Sequence, residues 1–324
     1  VVVSRAHSEF VVSQFEEFVR LEGAELPLPG AGATWSRFTS LAHLASLDLS
    51  LGRLCEGHGD ALAILDEAEM KPFEVGASYG VWASRGSRAK TTAERTHGRW
   101  QLSGHKEFCS GSGTLDRALV TAETLEGYLL FDVSVEENVV SVDEGSWPAV
   151  GMADSNSKTL EFAGPALRDD QVVGVADFYT RRPGFWFGAA GVAACWYGGA
   201  VGLVNDLADS LGSEGSEHVM ADLGRAVTAL ESMRYVLKSV AEAIDEDPLD
   251  ASRRAQFRAL VARQMVHDGA TEVLARVAAA GGARPLCHNE AQSRRAADLY
   301  VYLAQHHGSA DADALGRLMM GSRS

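Results

Sequence analysis

From Pro183 to Asn205 the chain carries no charged side chain, and the run opens on Phe185-Trp186-Phe187-Gly188-Ala189-Ala190-Gly191-Val192. Such a segment has two homes. It is long enough to cross a bilayer, where its glycines and alanines would let helices approach closely. It equally suits a helix surrounded on all sides in a water-soluble core. No second run of this kind occurs, and charged amphipathic segments follow it. The expectation is therefore a central buried helix and no membrane span.

The rest of the chain is arranged around that helix. Four helical segments are expected at Phe185–Leu211, Val219–Ile244, Ala251–Ala280 and Glu290–His306. Gly212–Gly215, Asp245-Glu246-Asp247-Pro248 and Gly281–Pro285 separate them. Long helices with short connections predict an antiparallel four-helix bundle. Residues 1–70 also read helical: Phe10, Val11, Phe15, Phe18 and Val19 recur at helical spacing. The two prolines and two glycines of Leu26–Gly32 make a loop. Helices then resume over Trp35–Leu47 and from Ser50, read as an N-cap, to Glu69.

Residues 75–180 change character. Short apolar runs (Tyr79–Ala83, Arg117–Val120, Tyr128–Val133, Val139–Val142, Thr159–Phe162) alternate with Gly, Asp and Ser clusters. That spacing predicts an antiparallel β-barrel or sandwich. No helices alternate with these strands, so a doubly wound nucleotide fold is not expected, and neither GxGxxG nor a Walker loop is present. The predicted fold class is α+β in three domains: helical over 1–73, β over 74–180, and a four-helix bundle over 181–324.

The net charge of −15 argues against a broad nucleic-acid-binding face, which needs clustered Lys and Arg. A local basic pocket for a phosphorylated ligand stays open. The four cysteines, Cys55, Cys109, Cys195 and Cys287, are far apart and form no CxxC pair. They predict buried, reduced thiols in a cytoplasmic protein, with no metal site. Val1-Val2-Val3-Ser4-Arg5 has no signal-peptide architecture.

Gly104-His105-Lys106-Glu107-Phe108-Cys109-Ser110-Gly111-Ser112-Gly113 lies between the strand-like Trp100–Ser103 and Asp116–Ala122. Its glycines would let backbone approach a flat ligand, with Phe108 on a ring face. Read locally, the stretch is equally an ordinary turn.

The α, β, four-helix order carries several ordered motifs: Leu47-Asp48-Leu49-Ser50-Leu51-Gly52-Arg53 with Gly57-His58, then Gly98–Lys106, then Trp147–Ser157 and Leu160–Phe162. In these the chain resembles the acyl-CoA dehydrogenase superfamily, as a divergent member lacking the usual catalytic Glu. The resemblance spans nearly the whole chain and implies an FAD-dependent oxidoreductase acting on a small-molecule substrate such as an acyl-CoA thioester. Phe108, Cys109 and Ser110 fall where the family places residues beside the isoalloxazine. Trp82 and Ser84 lie on and after the other flavin-lining strand, and Arg85 and Arg88 are read either as phosphate contacts or as solvated surface. The family's Arg-x-x-Phe motif for the FAD pyrophosphate should fall near Glu217–Arg225, where Arg225 is the nearest basic residue. Arg284 and His288 match a loop bordering the substrate. Because the family completes its FAD site across subunits, a homodimer or homotetramer is implied.

Dehydrogenation needs a carboxylate to take the α-proton. At the two places where the family puts that Glu, this chain has Val192 and Ala193, and Gln305-His306-His307-Gly308. Three readings follow: His306 or His307 serves as base, the flavin is used differently in a monooxygenase of the same fold, or the chain is a non-catalytic binding or scaffold relative. A His pair at a helix end is also an ordinary terminus favoured by the helix dipole.

Overall fold

The computed structural model describes residues 5–21, 26–86, 90–211 and 215–321, so Ser87 and Arg88 and most of the Gly212–Gly215 break lie outside the described residues. Among these residues the chain order is α1 (Arg5–Leu21), α2 (Thr34–Leu47), α3 (Leu49–Glu67), β1 (Tyr79–Trp82), β2 (Thr91–Thr96), β3 (Arg99–Cys109), β4 (Arg117–Thr124), β5 (Gly127–Ser134), α4 (Val135–Asn138), β6 (Val139–Asp143), β7 (Lys158–Phe162), β8 (Val172–Val173), α5 (Phe178–Arg181), α6 (Gly184–Leu211), α7 (Glu217–Glu246), α8 (Ala255–Gly281), α9 (Ala283–His288), α10 (Glu290–Leu303) and α11 (Ser309–Gly321). The chain divides into two compact units. One holds Val1–Leu26, Arg53–Pro148 and Ala153–Phe185, and the other Pro27–Gly52, Ala149–Met152 and Trp186–Ser324.

In the first unit the eight strands form one sheet in the order β6-β7-β3-β2-β4-β5-β8, with β1 pairing β4 off that path. The sheet is open, which corrects the expected barrel or sandwich. The end strands β6 and β8 do not pair with each other, and β8 contributes only Val172 and Val173. It is also mixed, because β1 runs parallel to β4 and β2 meets β4 in parallel at Thr92 and Glu123. Strand β2 was not expected from sequence: Thr-Thr-Ala-Glu-Arg-Thr has no apolar run, since only Thr91 and Ala93 point inward. A core of Ala61, Ile64 and Leu65 from α3 packs on Tyr79, Leu119, Leu130 and Val173 of the sheet. Strand β1, paired with β4 in the sheet, is thereby packed against α3 through Tyr79.

The second unit is built on α6. Within the most apolar 18 residues of this helix, 72% are buried, so burial accounts for the missing charges. Its partners explain its glycines. A Cβ at Gly198 would lie 2.1 Å from the Ala42 carbonyl oxygen of α2, and one at Gly202 would lie 2.8 Å from that of Ser46. Helix α2 therefore lies directly on α6 backbone. Its N-terminus has Ala33 at the cap position and is capped from α7 instead: Asp245 accepts from Thr34 N at 3.0 Å and from Gly32 N at 3.0 Å. The next helix is capped by Asp48, whose Oδ1 accepts from Leu51 N at 2.9 Å, and not by Ser50 as expected. Asp48 has the extended backbone that a cap requires (φ −155°, ψ 134°), whereas Ser50 is already helical. The Gly281–Pro285 break is not a plain loop, because Gly282 at φ 61° turns the chain straight into α9.

An alanine at position 198 must push α2 away or bend α6. Gly198→Ala is expected to cost about 1–3 kcal/mol in urea unfolding, whereas Gly224→Ala, with open space around it, should cost nothing. Equal stability of the two variants would show that α2 does not ride on α6 backbone.

Candidate active site

Along β3 the inward residues are Trp100, Leu102 and Lys106, in step with the two-residue period of a strand. That period would turn Phe108 inward next. It does not, because the pairing with β7 slips between Lys106 and Cys109, placing Cys109 inward. This is a β-bulge, which bends a strand and re-aims a side chain. Phe108 takes the left-handed conformation (φ 61°), and the residue is 60% exposed, its ring edge-on to Trp147 at 6.4 Å between centroids. For a bulky residue such a φ is uncommon and costs of order 1–3 kcal/mol. The strand therefore carries strain in order to show an aromatic face to solvent. Gly104 has its own requirement: at φ 98°, a Cβ would lie 2.1 Å from the Lys90 carbonyl oxygen.

Past the bulge, Ser110 is buried and its hydroxyl lies 2.8 Å from that of Ser157, which lies 2.9 Å from that of Ser155. Trp82 is a core ring whose Nε1 donates to the Ser110 carbonyl at 2.9 Å. Ser84 Oγ donates to the Glu107 carbonyl at 2.5 Å, tying the end of β1 to the bulge. Cys109 is fully buried and its thiol donates to the Lys106 carbonyl at 3.3 Å. Burial pushes this thiol well above its usual range, so it is not a thiolate nucleophile. The buried Lys106 amine donates to the Thr121 carbonyl (2.5 Å), the Thr121 hydroxyl (3.1 Å) and the Ser84 carbonyl (3.3 Å), and burial lowers its pKa to about 8. Behind Ser110, a small recess of about 10 Å³ is lined by Arg53, Leu54, Tyr79, Val81 and Leu115.

Strand β1 is held from below by a polar network. Tyr79 Oη donates to Asp132 at 3.0 Å and accepts from Phe73 N at 3.0 Å, while Arg117 Nε donates to Asp132 at 2.8 Å. Burial, with the Asp132 charge, pushes the Tyr79 hydroxyl up to about 12. On the backbone side, Tyr79 N donates to His58 Nδ1 at 3.0 Å. The His58 ring lies edge-on to Phe15 and Phe18, at 6.2 and 6.1 Å, and burial lowers its pKa to about 4. It is a neutral acceptor locked in place.

The other sequence candidates are scattered. Arg85 is exposed, with its guanidinium 4.1 Å from the centre of the Tyr128 ring. Arg225 on α7 is exposed and paired with Asp222 at 2.9 Å, which Arg276 also contacts at 3.2 Å. Arg284 and His288 are exposed on α9. Helix α10 stops at Leu303, so His306 and His307 sit in the connection to α11 rather than at the helix end expected from sequence. They are not equivalent. The His306 side chain is only 3% exposed, stacks on His267 (4.5 Å, 24°) and meets Trp196 edge-on. Its Nδ1 accepts from Gly308 N, and its Nε2 makes no hydrogen bond among the described residues, lying 3.8 Å from Asp311 Oδ2. Burial is the largest influence lowering its pKa. His307 is exposed, 3.4 Å from Asp311. Asp298 spends its carboxylate on the Met152 backbone N–H at 2.5 Å. Of the four cysteines, Cys287 is exposed rather than buried.

No protein-family model matches the sequence. A dibenzothiophene monooxygenase of Mycolicibacterium goodii is 28% identical over 167 residues, a match taking in 45% of this chain and only 40% of that protein. Among solved structures, TdsC of Paenibacillus sp. A11-2 with FMN and indole superposes with a TM-score of 0.77 at 18% identity, covering 97% of this chain and 96% of that one. KijD3 with FMN and a dTDP-linked amino-keto sugar superposes with a TM-score of 0.82 at 17% identity, over 98% and 91%. The fold is acyl-CoA dehydrogenase-like. From sequence, Trp147, Ser155 and Ser157 stood only within the Trp147–Ser157 motif and were not assigned to the site, and His267 was not singled out. The signal for both serines was that motif, with its Ser-x-Ser spacing beside a strand.

The His58 pKa has a direct consequence for stability. Because the folded value lies below the ordinary 6.5, this contribution is fully present above pH 6.5 and is lost as pH falls toward 4. His58→Gln keeps a side-chain acceptor and does not titrate. Between pH 7 and pH 4.5 the wild type should lose about 2 kcal/mol more than this variant in urea unfolding. Identical losses would refute the buried neutral His58.

Proposed function

We propose that this protein is a flavin-dependent monooxygenase that transfers one oxygen atom from dioxygen to a small organic molecule. The observation that carries the reading is the bulge that turns Phe108 outward next to the buried hydroxyls of Ser110 and Ser157. An aromatic face beside hydroxyl donors fits an isoalloxazine ring, which is flat, apolar on its faces and polar along one edge. When bound and reduced, the flavin would supply the electrons that let one oxygen atom enter the substrate while the other leaves as water.

Two features favour this chemistry over acyl-CoA dehydrogenation. No carboxylate stands at Val192 or Ala193 of the uncharged run, and histidines occupy the other expected position. Oxygen transfer does not need the α-proton to be removed. The fold relatives also include monooxygenases and FMN complexes. For the same site we propose FMN rather than FAD. FMN lacks the pyrophosphate and adenosine, and the residue expected at the pyrophosphate, Arg225, is engaged by Asp222. Arg85 would meet the single phosphate.

His306 is the better of the two histidines for moving a proton. Its ring is held by His267 and Trp196, is neutral near pH 7, and keeps Nε2 without a hydrogen bond among the described residues. His307 is solvated. We further propose a homodimer or homotetramer, since α7 exposes Met220, Val227 and Tyr235, and a cytoplasmic location.

The test supplies the protein with chemically reduced FMN, ¹⁸O₂ and either dibenzothiophene or indole as probe. Incorporation of one ¹⁸O atom into a probe is expected. His306→Ala should lower this by at least roughly 100-fold and His307→Ala by a few-fold only. Anaerobic reduction of the bound flavin by butyryl-CoA would overturn the proposal in favour of a dehydrogenase.

A further inference from the structure

Three hydroxyls stand in line behind the bulge. Ser110 Oγ is 2.8 Å from Ser157 Oγ, and Ser157 Oγ is 2.9 Å from Ser155 Oγ. All three residues are buried, at 9%, 7% and 1% exposure, so bulk water does not compete for these contacts. The backbone fixes them. Gly111 N donates to the Ser155 carbonyl at 2.7 Å, and Ser112 donates from N and Oγ to the Asn156 carbonyl at 3.3 and 2.6 Å.

A hydroxyl has one proton to donate and two lone pairs to accept with. A line of hydroxyls therefore has two polarities. If Ser110 donates to Ser157 and Ser157 to Ser155, Ser110 presents lone pairs outward. If the direction reverses, Ser110 accepts from Ser157 and its own O–H is free to donate outward. Only protons rotate between these arrangements, and the oxygen atoms stay where they are. An oxidised flavin offers an unprotonated ring nitrogen, which needs a donor. The reduced ring carries N–H there and needs an acceptor.

We propose that Ser157 is a positioning residue that holds Ser110 and lets it reverse its hydrogen bond to match both redox states of a bound flavin. This rests on the flavin reading above. It follows that removing the chain weakens oxidised and reduced FMN alike, whereas a fixed donor would favour only the oxidised form.

The experiment measures dissociation constants of oxidised FMN and, anaerobically, of reduced FMN. It compares wild type, Ser110→Ala, Ser157→Ala, Ser157→Thr and the Ser110→Ala/Ser157→Ala double variant, with circular dichroism confirming the fold of each. Ser110→Ala and Ser157→Ala should each weaken both forms by about tenfold, leaving the reduction potential of bound FMN in place. Ser157→Thr, which keeps a hydroxyl, should restore wild-type binding. The double variant should be no weaker than either single one, because Ser157 acts through Ser110. Loss confined to oxidised FMN, an inert Ser157→Ala, or additive losses in the double variant would each overturn the proposal while leaving the flavin reading intact. Failure of the wild type to bind FMN in either form would overturn the flavin reading and this proposal with it.

Discussion

The site depends on one irregularity in one strand pairing. Strand β3 is in register with β7 at Gly104, His105 and Lys106, and is next paired at Cys109 with Lys158. The slip inserts a residue, and a strand's faces exchange with each single-residue shift. Lys106 and Cys109 therefore both point inward, and Phe108 is forced outward through a left-handed backbone. The proposed aromatic face follows from that exchange. A regular strand would have buried the ring and left no flat aromatic surface beside Ser110.

The surroundings hold the bulge against its strain. Lys106 bonds the Thr121 and Ser84 carbonyls, Ser84 bonds the Glu107 carbonyl, and Trp82 bonds the Ser110 carbonyl, so each residue flanking Phe108 is fixed through its neighbours. Strand β1, which carries Trp82, is fixed in turn by His58 on its backbone and by Asp132 on the Tyr79 hydroxyl. These contacts offset a conformational cost of order 1–3 kcal/mol. Strain retained by so many contacts points to use rather than accident.

How much of this was legible in the sequence differs by feature. The uncharged run announced α6, because a helix mostly covered by its neighbours needs no charged face, and α7, α8 and α10 end within a few residues of their expected limits, while α9 and α11 were not expected. Strand β2 was hidden because its outer half is polar, and the barrel expectation failed because closure depends on whether the edge strands meet, which local pattern does not encode. Asp48 rather than Ser50 caps α3 because a cap needs extended backbone, a property of the preceding turn. Phe108 was read from the local glycine-rich pattern, and Cys109 and Ser110 were added beside it by resemblance. The bulge was not found, since register is a property of two strands. Ser157 escaped for the same reason: its role exists only once β7 lies beside β3.

The central claim is that the bulge presents Phe108 as the face on which a flavin rests, and Phe108→Gly isolates it. Glycine adopts the left-handed conformation without strain, so the fold should keep its stability while the aromatic surface disappears. Fluorescence titration with FMN should show binding weakened by at least about tenfold, as expected for the loss of one stacking contact, with an unchanged melting temperature. Unaltered FMN affinity in that variant would contradict the account.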